Sequence, residues 1–345
     1  MTLRFGIGLF TGQIPAGSSR TFAQEYRETL ELVCLAESLG FDSAWVSEHH
    51  GASDGYLPSL LPMLAAFAAV TERIALGTGV VLTPFHDPLR LAEDTAVVDQ
   101  LSGGRLILGL GIAWREEEFR AFDVPMAERV QRTTETVEIL RRAWTGRRFS
   151  FEGRSFRYDR VRVTPPAAQH GGPRIFLGGY ADRAVRRAGR LGDGYITDDA
   201  GIEQVRRSLG IAEQGAREAG RDPRALALAL LQNVFVSRDG DAWDTVRPGA
   251  IHQIGAYAAW DSGHDTPVHD SLEPAVEDED EIRRWTPAGT PQDVISALRP
   301  AVSAFGDRPD LHLVVRLHYP GMDLATAARA VELFAEEVLP VLKAV

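Results

Sequence analysis

A single cysteine, Cys34, occurs among the 345 residues, so the chain can build neither an internal disulfide framework nor a cysteine-based zinc site. It sits in the apolar run 32–36, where a buried small hydrophobe is a better reading than a reactive thiol. No apolar run is long enough to cross a bilayer. The chain opens on a strand pattern without signal-peptide architecture, which leads us to expect a cytoplasmic protein. Positive charge is also scarce, with 37 Lys and Arg against 48 Asp and Glu and a formal charge of −11. Nucleic acid, whose recognition needs a basic face, is therefore not an expected partner.

What is present is an ordinary globular composition, 44% hydrophobic and 25% charged, in a chain long enough to bury a large core. The excess acid is not evenly spread. Nine acidic residues and no Lys or Arg lie between Asp261 and Glu281, and without them the formal charge is about −2.

Short β-branched apolar runs alternate with helical patterns from end to end. Strands are expected at 4–10, 43–47, 74–82, 105–110, 174–178, 194–197, 227–237 and 311–318. Helices are expected at 22–39, 57–70, 88–101, 127–144, 183–191, 202–219, 242–260, 291–305 and 324–342. Gly40 and Gly220 suit positions just past helix ends, and Pro88 and Pro291 suit first helical turns. Such alternation implies βαβ units, and eight near-continuously apolar strands favour a closed (β/α)8 TIM barrel as one domain, 1–345. Two segments break the pattern. Residues 149–166 read as a β-hairpin turning at Glu152-Gly153. Residues 261–281 form an acidic insertion after strand seven, expected to be mobile and lid-like.

In such a barrel, chemistry belongs where strands end. Strand two ends in Glu48-His49-His50, a group suited to acid/base work but equally compatible with solvated loop histidines. A metal site is not expected, because no His, Asp and Glu set recurs at ligand spacing. Strand three carries Gly77-Thr78-Gly79-Val80, where glycine serves either a ligand's close approach or tight barrel packing. Strand four runs into Gly109-Leu110-Gly111-Ile112-Ala113-Trp114, which lacks a dinucleotide fingerprint but leaves room for a flat ring walled by Trp114. Strand five ends in Gly178-Gly179-Tyr180-Ala181-Asp182-Arg183 and feeds a helix. Free N–H groups and the helix dipole favour an anion there, and Arg183 in the first turn needs one. Asn233, Arg316 and His318 lie at the ends of strands seven and eight. Arg316 could hold an anionic substrate or an anionic reduced flavin there, or sit in a buried ion pair.

Segments 36–50, 72–111 and 174–196, followed by 289–300, 312–323 and 334–342, resemble the luciferase-like flavin-dependent oxidoreductases in order and over nearly the whole chain. The resemblance implies a non-proline cis peptide at Gly79–Val80 against the flavin, with Thr78 and Gly111 beside it. It implies a phosphate site at Gly178, Gly179, Tyr180, Ala181 and Arg183, although many relatives have serine where this chain has Ala181. It makes His49 the catalytic residue. The substrate pocket would be lined by Glu48, His50, Trp114, Asn233, Arg316 and His318.

Departures separate the branches. Trp114 stands where the branch using the deazaflavin F420 has a glutamate, and Leu231-Gln232-Asn233 replaces the Arg-x-His of the alkanesulfonate branch. The expected activity is FMN-dependent monooxygenation of a small organic substrate through a C4a-(hydro)peroxyflavin. O2 would be the oxidant, and a separate NAD(P)H:flavin reductase would supply reduced FMN, in a homodimeric enzyme. F420-dependent hydride transfer is the alternative, and a non-catalytic flavin-binding protein a third possibility.

Overall fold

The computed structural model describes residues 3–198, 201–238, 242–261 and 279–345. Eight strands form its centre: β1 Leu3–Phe10, β2 Ser43–Val46, β3 Ala75–Thr78, β4 Leu106–Gly111, β5 Arg174–Gly178, β6 Gly194–Asp198, β7 Ala227–Asn233 and β8 Leu311–Arg316. Each pairs in parallel with its sequence neighbours, and β8 closes on β1 with Phe5 opposite Leu313. The sheet is thus a closed TIM barrel.

Alternation along the strands sorts the core into two parts. On β8, Leu311, Leu313 and Val315 pack outward with the helices, whereas Val314 joins Trp45, Ile107, Phe176, Ile196, Ala227 and Ala229 inside the lumen. Trp45 is fully buried and donates its indole N–H to the Ser43 hydroxyl at 2.8 Å. A Cβ on Gly77 would lie 2.3 Å from the Trp45 ring. Of the two readings open for the strand-three glycines, Gly77 therefore answers to barrel packing.

The outer layer is made by α1 Phe22–Ser38, α2 Leu60–Val70, α3 Pro88–Leu101, α4 Glu116–Ala121, α5 Arg129–Ala143, α6 Asp182–Leu191, α7 Ile202–Glu218, α8 Ala242–Asp261, α9 Glu279–Trp285, α10 Pro291–Phe305 and α11 Leu324–Leu333. Local chemistry sets several boundaries. Asp87 caps α3 through the Leu89 and Arg90 amides with Pro88 in the first turn, and Thr290 and Asp293 form a capping box at α10. Gly40 and Gly220 follow α1 and α7 at φ of +86° and +69°.

The structure departs from the sequence expectations where loops intervene. The strand expected over 74–82 is broken after Thr78 by a cis Gly79–Val80 peptide and resumes at Val81–Leu82. The strand expected over 227–237 leaves the barrel after Asn233, and Phe235–Val236 pairs with Ala288–Gly289. The last helix is not uniform, because Phe334–Val338 winds as a π turn. Helix α4 was not expected at all. Cys34 is half-buried rather than buried; burial and the nearby Glu37 push its thiol pKa up, away from reactivity.

Phe149–Glu152 and Arg157–Val161 pair antiparallel. Their turn is fixed by Glu135, which accepts the Arg154, Ser155 and Phe156 amides. In the acidic segment, Asp261 ends α8 and Glu279–Glu281 open α9, while 262–278 lie outside the described residues. Among the described residues, no helix is long and apolar enough to cross a membrane.

Candidate active site at the barrel mouth

The adjacent residues of Glu48-His49-His50 turn to different surroundings. His49, only 4% exposed, directs Nδ1 to Glu118 Oε1 at 2.9 Å. An ionised carboxylate can only accept, so Nδ1 carries the proton in this bond and Nε2 is the nitrogen left for other partners. Glu118 also accepts the His50 amide at 2.9 Å and lies 3.5 Å from Arg115 Nη1. Arg115 in turn stacks 4.1 Å from the Trp260 ring centre.

Four rings enclose His49: Tyr56, Trp114, Tyr257 and Trp260 have centres 4.9, 6.2, 5.4 and 4.8 Å away. The Tyr56 hydroxyl donates to Ser47 and lies 2.8 Å from the Tyr257 hydroxyl. Helix α8 is held over this site by His252, whose Nε2 lies 2.9 Å from Asp54 Oδ2; the same oxygen accepts Gln13 at 2.6 Å. The result is an imidazole oriented through Nδ1 in a pocket with aromatic walls, an arrangement suited to proton transfer shielded from water.

Glu48 is not free to meet a substrate. Its Oε1 accepts His50 and His86 at 2.7 and 2.9 Å, and its Oε2 accepts the Leu82 amide at 3.0 Å. Burial would raise its pKa, but these hydrogen bonds outweigh it and hold the group at about 2. His50 packs 4.6 Å from Phe122, away from the rings around His49. Both residues expected at the substrate are thus engaged in bracing the strand ends, Glu48 by loop 82–86 and His50 by Glu48 and Glu118. Glu48, His50 and His86 form a compact ligand-type cluster. Separations of 2.7–2.9 Å fit hydrogen bonds, whereas two ligands on one tetrahedral ion at about 2.0–2.2 Å each stand farther apart.

On the opposite flank, Gly178 and Gly179 lead into α6 behind Ala181, whose methyl side chain cannot cap the helix. Gly179 needs to be glycine, since its φ is +145° and a Cβ would meet Ala184 at 2.7 Å. Asp182 is held bidentately by Arg207 at 2.8 and 2.7 Å. Arg183 and Arg187, one helical turn apart, have no carboxylate partner among the described residues. Burial and then Arg183 lower the Arg187 pKa, as expected for two cations that lack an anion. Tyr180 is largely exposed and donates to Asp198 at 2.9 Å.

The remaining expected residues are distributed around the mouth. Thr78 bridges to the Gly109 carbonyl and amide, each at 2.8 Å. Val80 presses on Gly111, where a Cβ would lie 2.5 Å from it. Asn233 pairs in register with Arg316. His318 is buried 3.7 Å from Glu25, and burial lowers its pKa. Reading the sequence missed Glu118, Arg115, Asp54, His252, Tyr56, Tyr257 and Trp260. The one available signal was Glu116-Glu117-Glu118 immediately after the strand-four turn; the others lie on loops or helices with no motif.

With this geometry in hand, similarity to known proteins is informative. Residues 3–308 match the family described as luciferase-like monooxygenase. The F420-dependent glucose-6-phosphate dehydrogenase of Intrasporangium calvum is 32% identical, over 92% of this chain and 95% of its own. The monooxygenase RslO1 from Streptomyces bottropensis superposes with a TM-score of 0.84 at 31% identity, over 98% of this chain and 99% of its own. The oxygenating constituent of the Pseudomonas putida 3,6-diketocamphane monooxygenase, solved with FMN, shares the fold at a TM-score of 0.76 and 22% identity, over 98% and 99% of the two chains. This chain belongs to the luciferase-like monooxygenase family.

Proposed function

We propose that the protein is an FMN-dependent monooxygenase acting on a small organic substrate with O2, its flavin reduced by a separate NAD(P)H:flavin reductase. The observation that carries this reading is the buried His49, backed by Glu118 and enclosed by four aromatic rings. The cradle suits a flavin phosphate: Gly178 and Gly179 expose backbone before α6, and Arg183 and Arg187 await an anion. The phosphate would sit there, with the flavin ring toward the strand ends at Gly79 and Val80. Bound reduced FMN supplies the electrons that activate O2 for oxygen transfer. The protein's own part is to exclude water with Tyr56, Trp114, Tyr257 and Trp260, and to move a proton at His49 Nε2 while Glu118 holds the ring's tautomer.

The relatives named as F420-dependent glucose-6-phosphate dehydrogenases favour a second reading, hydride transfer with F420 on the same barrel. Against it stand the four rings around His49, which suit a flat apolar body better than a hexose. Titration with FMN, riboflavin and F420 separates the readings. The oxygenase reading expects FMN to bind at least tenfold tighter than riboflavin, about 1.4 kcal/mol. Reduced FMN should then support O2-dependent product formation. F420 binding without detectable FMN binding transfers the assignment to hydride transfer.

A further inference from the structure

We infer that Arg316 is an anion-binding element of the substrate pocket, and that the substrate is a planar aromatic organic anion, a carboxylate or phenolate. The inference rests on the oxygenase reading only for calling this space the substrate pocket.

Arg316 ends β8 two residues beyond Val314, which faces the lumen, so its side chain is directed to the barrel mouth. It is only 5% exposed, and its Nη1 is buried without a hydrogen-bond partner. Among the described residues it makes no ion pair. The nearby carboxylate of Glu25 is already taken by Arg20 at 2.8 Å and faces His318 at 3.7 Å. Three tyrosines surround the cation closely enough for its charge to oppose their burial-raised pKa values: Tyr56, Tyr257 and Tyr319. Their hydroxyls are engaged with Ser47, with each other and with the Val234 carbonyl.

Arg115, the other arginine buried to this degree, also keeps an unpartnered nitrogen, Nε, but it has a counter-charge: it donates to the His50 carbonyl at 3.1 Å and lies 3.5 Å from Glu118. A desolvated guanidinium with no counter-charge is costly, and its fork matches a carboxylate in two parallel hydrogen bonds. The flavin phosphate does not answer this need, because its cations Arg183 and Arg187 sit after β5, three strands away around the barrel. The anion left to meet it is the substrate's or that of the reduced flavin ring, and the aromatic walls beside the cation favour the substrate. Its body follows from the neighbouring walls: Tyr257, Trp260 and the partly exposed Trp114 present flat π surfaces suited to stacking an aromatic ring.

The test is equilibrium binding of 2-naphthoate and of its neutral isostere 2-naphthamide to flavin-free protein, followed by tryptophan fluorescence. We expect 2-naphthoate to bind at least tenfold tighter. Arg316→Gln should abolish that preference and Arg316→Lys keep part of it, with FMN affinity unchanged within threefold in both variants. A melting curve on each variant establishes that it is folded, and the Lys variant carries the test if the Gln variant is not. Equal binding of the two probes, or no binding of either, overturns the proposal. So does a tenfold loss of FMN affinity in Arg316→Gln with the naphthoate preference intact, since the cation then belongs to the cofactor. Failure to bind any flavin with the naphthoate preference retained would instead remove the oxygenase reading and leave the anion site standing.

Discussion

The two flanks of the barrel mouth treat charge in opposite ways. Around β2 and α4, the buried carboxylates have partners: Glu48 holds His50, His86 and a backbone amide, and Glu118 holds His49 and the His50 amide. Around β5 and β8, the cations Arg183, Arg187 and Arg316 have no carboxylate among the described residues. One flank pairs its carboxylates with histidines and amides, which suits proton transfer by a positioned base. The other is unfinished, which suits the binding of anions. Buried charge is tolerated only when paired or when a ligand completes it; of the three cations this applies to the buried Arg316, whereas Arg183 is exposed and Arg187 half-buried.

The comparison is broken most severely at its centre. His49→Ala should slow product formation by about two to four orders of magnitude, while reduced-flavin binding stays intact; stopped-flow kinetics would read both. A variant with normal turnover and coupling demotes His49 to a packing residue. Glu48→Ala should act on stability instead, costing about 3–5 kcal/mol by stranding two histidines and the Leu82 amide, measurable by urea denaturation. The same group sets an acid limb. Its pKa in the folded state, about 2, lies below the ordinary glutamate value of 4.5, so its contribution is present above about pH 4.5 and is lost as pH falls toward 2. Wild-type protein should lose stability across that window, and Glu48→Gln should lose less.

Smaller effects sharpen the contrast. Glu118→Gln keeps an acceptor for His49 but removes its charge, and charge-assisted bonds are roughly twice as strong as neutral ones. We expect kcat to fall about tenfold to a hundredfold with FMN affinity unchanged, and Glu118→Asp to recover part of the loss. On the binding flank, Arg183→Ala should weaken FMN by about tenfold and leave riboflavin unaffected, since only FMN carries the phosphate. Equal losses for both flavins would mean that Arg183 supports the loop rather than the phosphate.

Much of this molecule is local, and that part was legible. Alternating strands and helices, Pro88 and Pro291 in first turns, and Gly40 and Gly220 past helix ends are all written in windows of a few residues, because backbone hydrogen bonding and side-chain periodicity act over that range. The position of His49 at a strand end, the cis bond at Gly79–Val80 and the glycine turn before α6 also followed from sequence motifs and family resemblance.

Pairing was not legible. That Glu118 backs His49 across 69 positions, or that His252 reaches Asp54 across 198, depends on how loops and helices dock above the closed barrel. The same docking gave Gly77 to Trp45, tied Glu48 to His86 and set Tyr257 and Trp260 over the His49 imidazole. Sequence alone determined the barrel and the strand ends from which chemistry could be drawn. Only the tertiary structure decided which charges are satisfied and which await a ligand, because burial and partner distance are properties of packing between segments far apart in the chain.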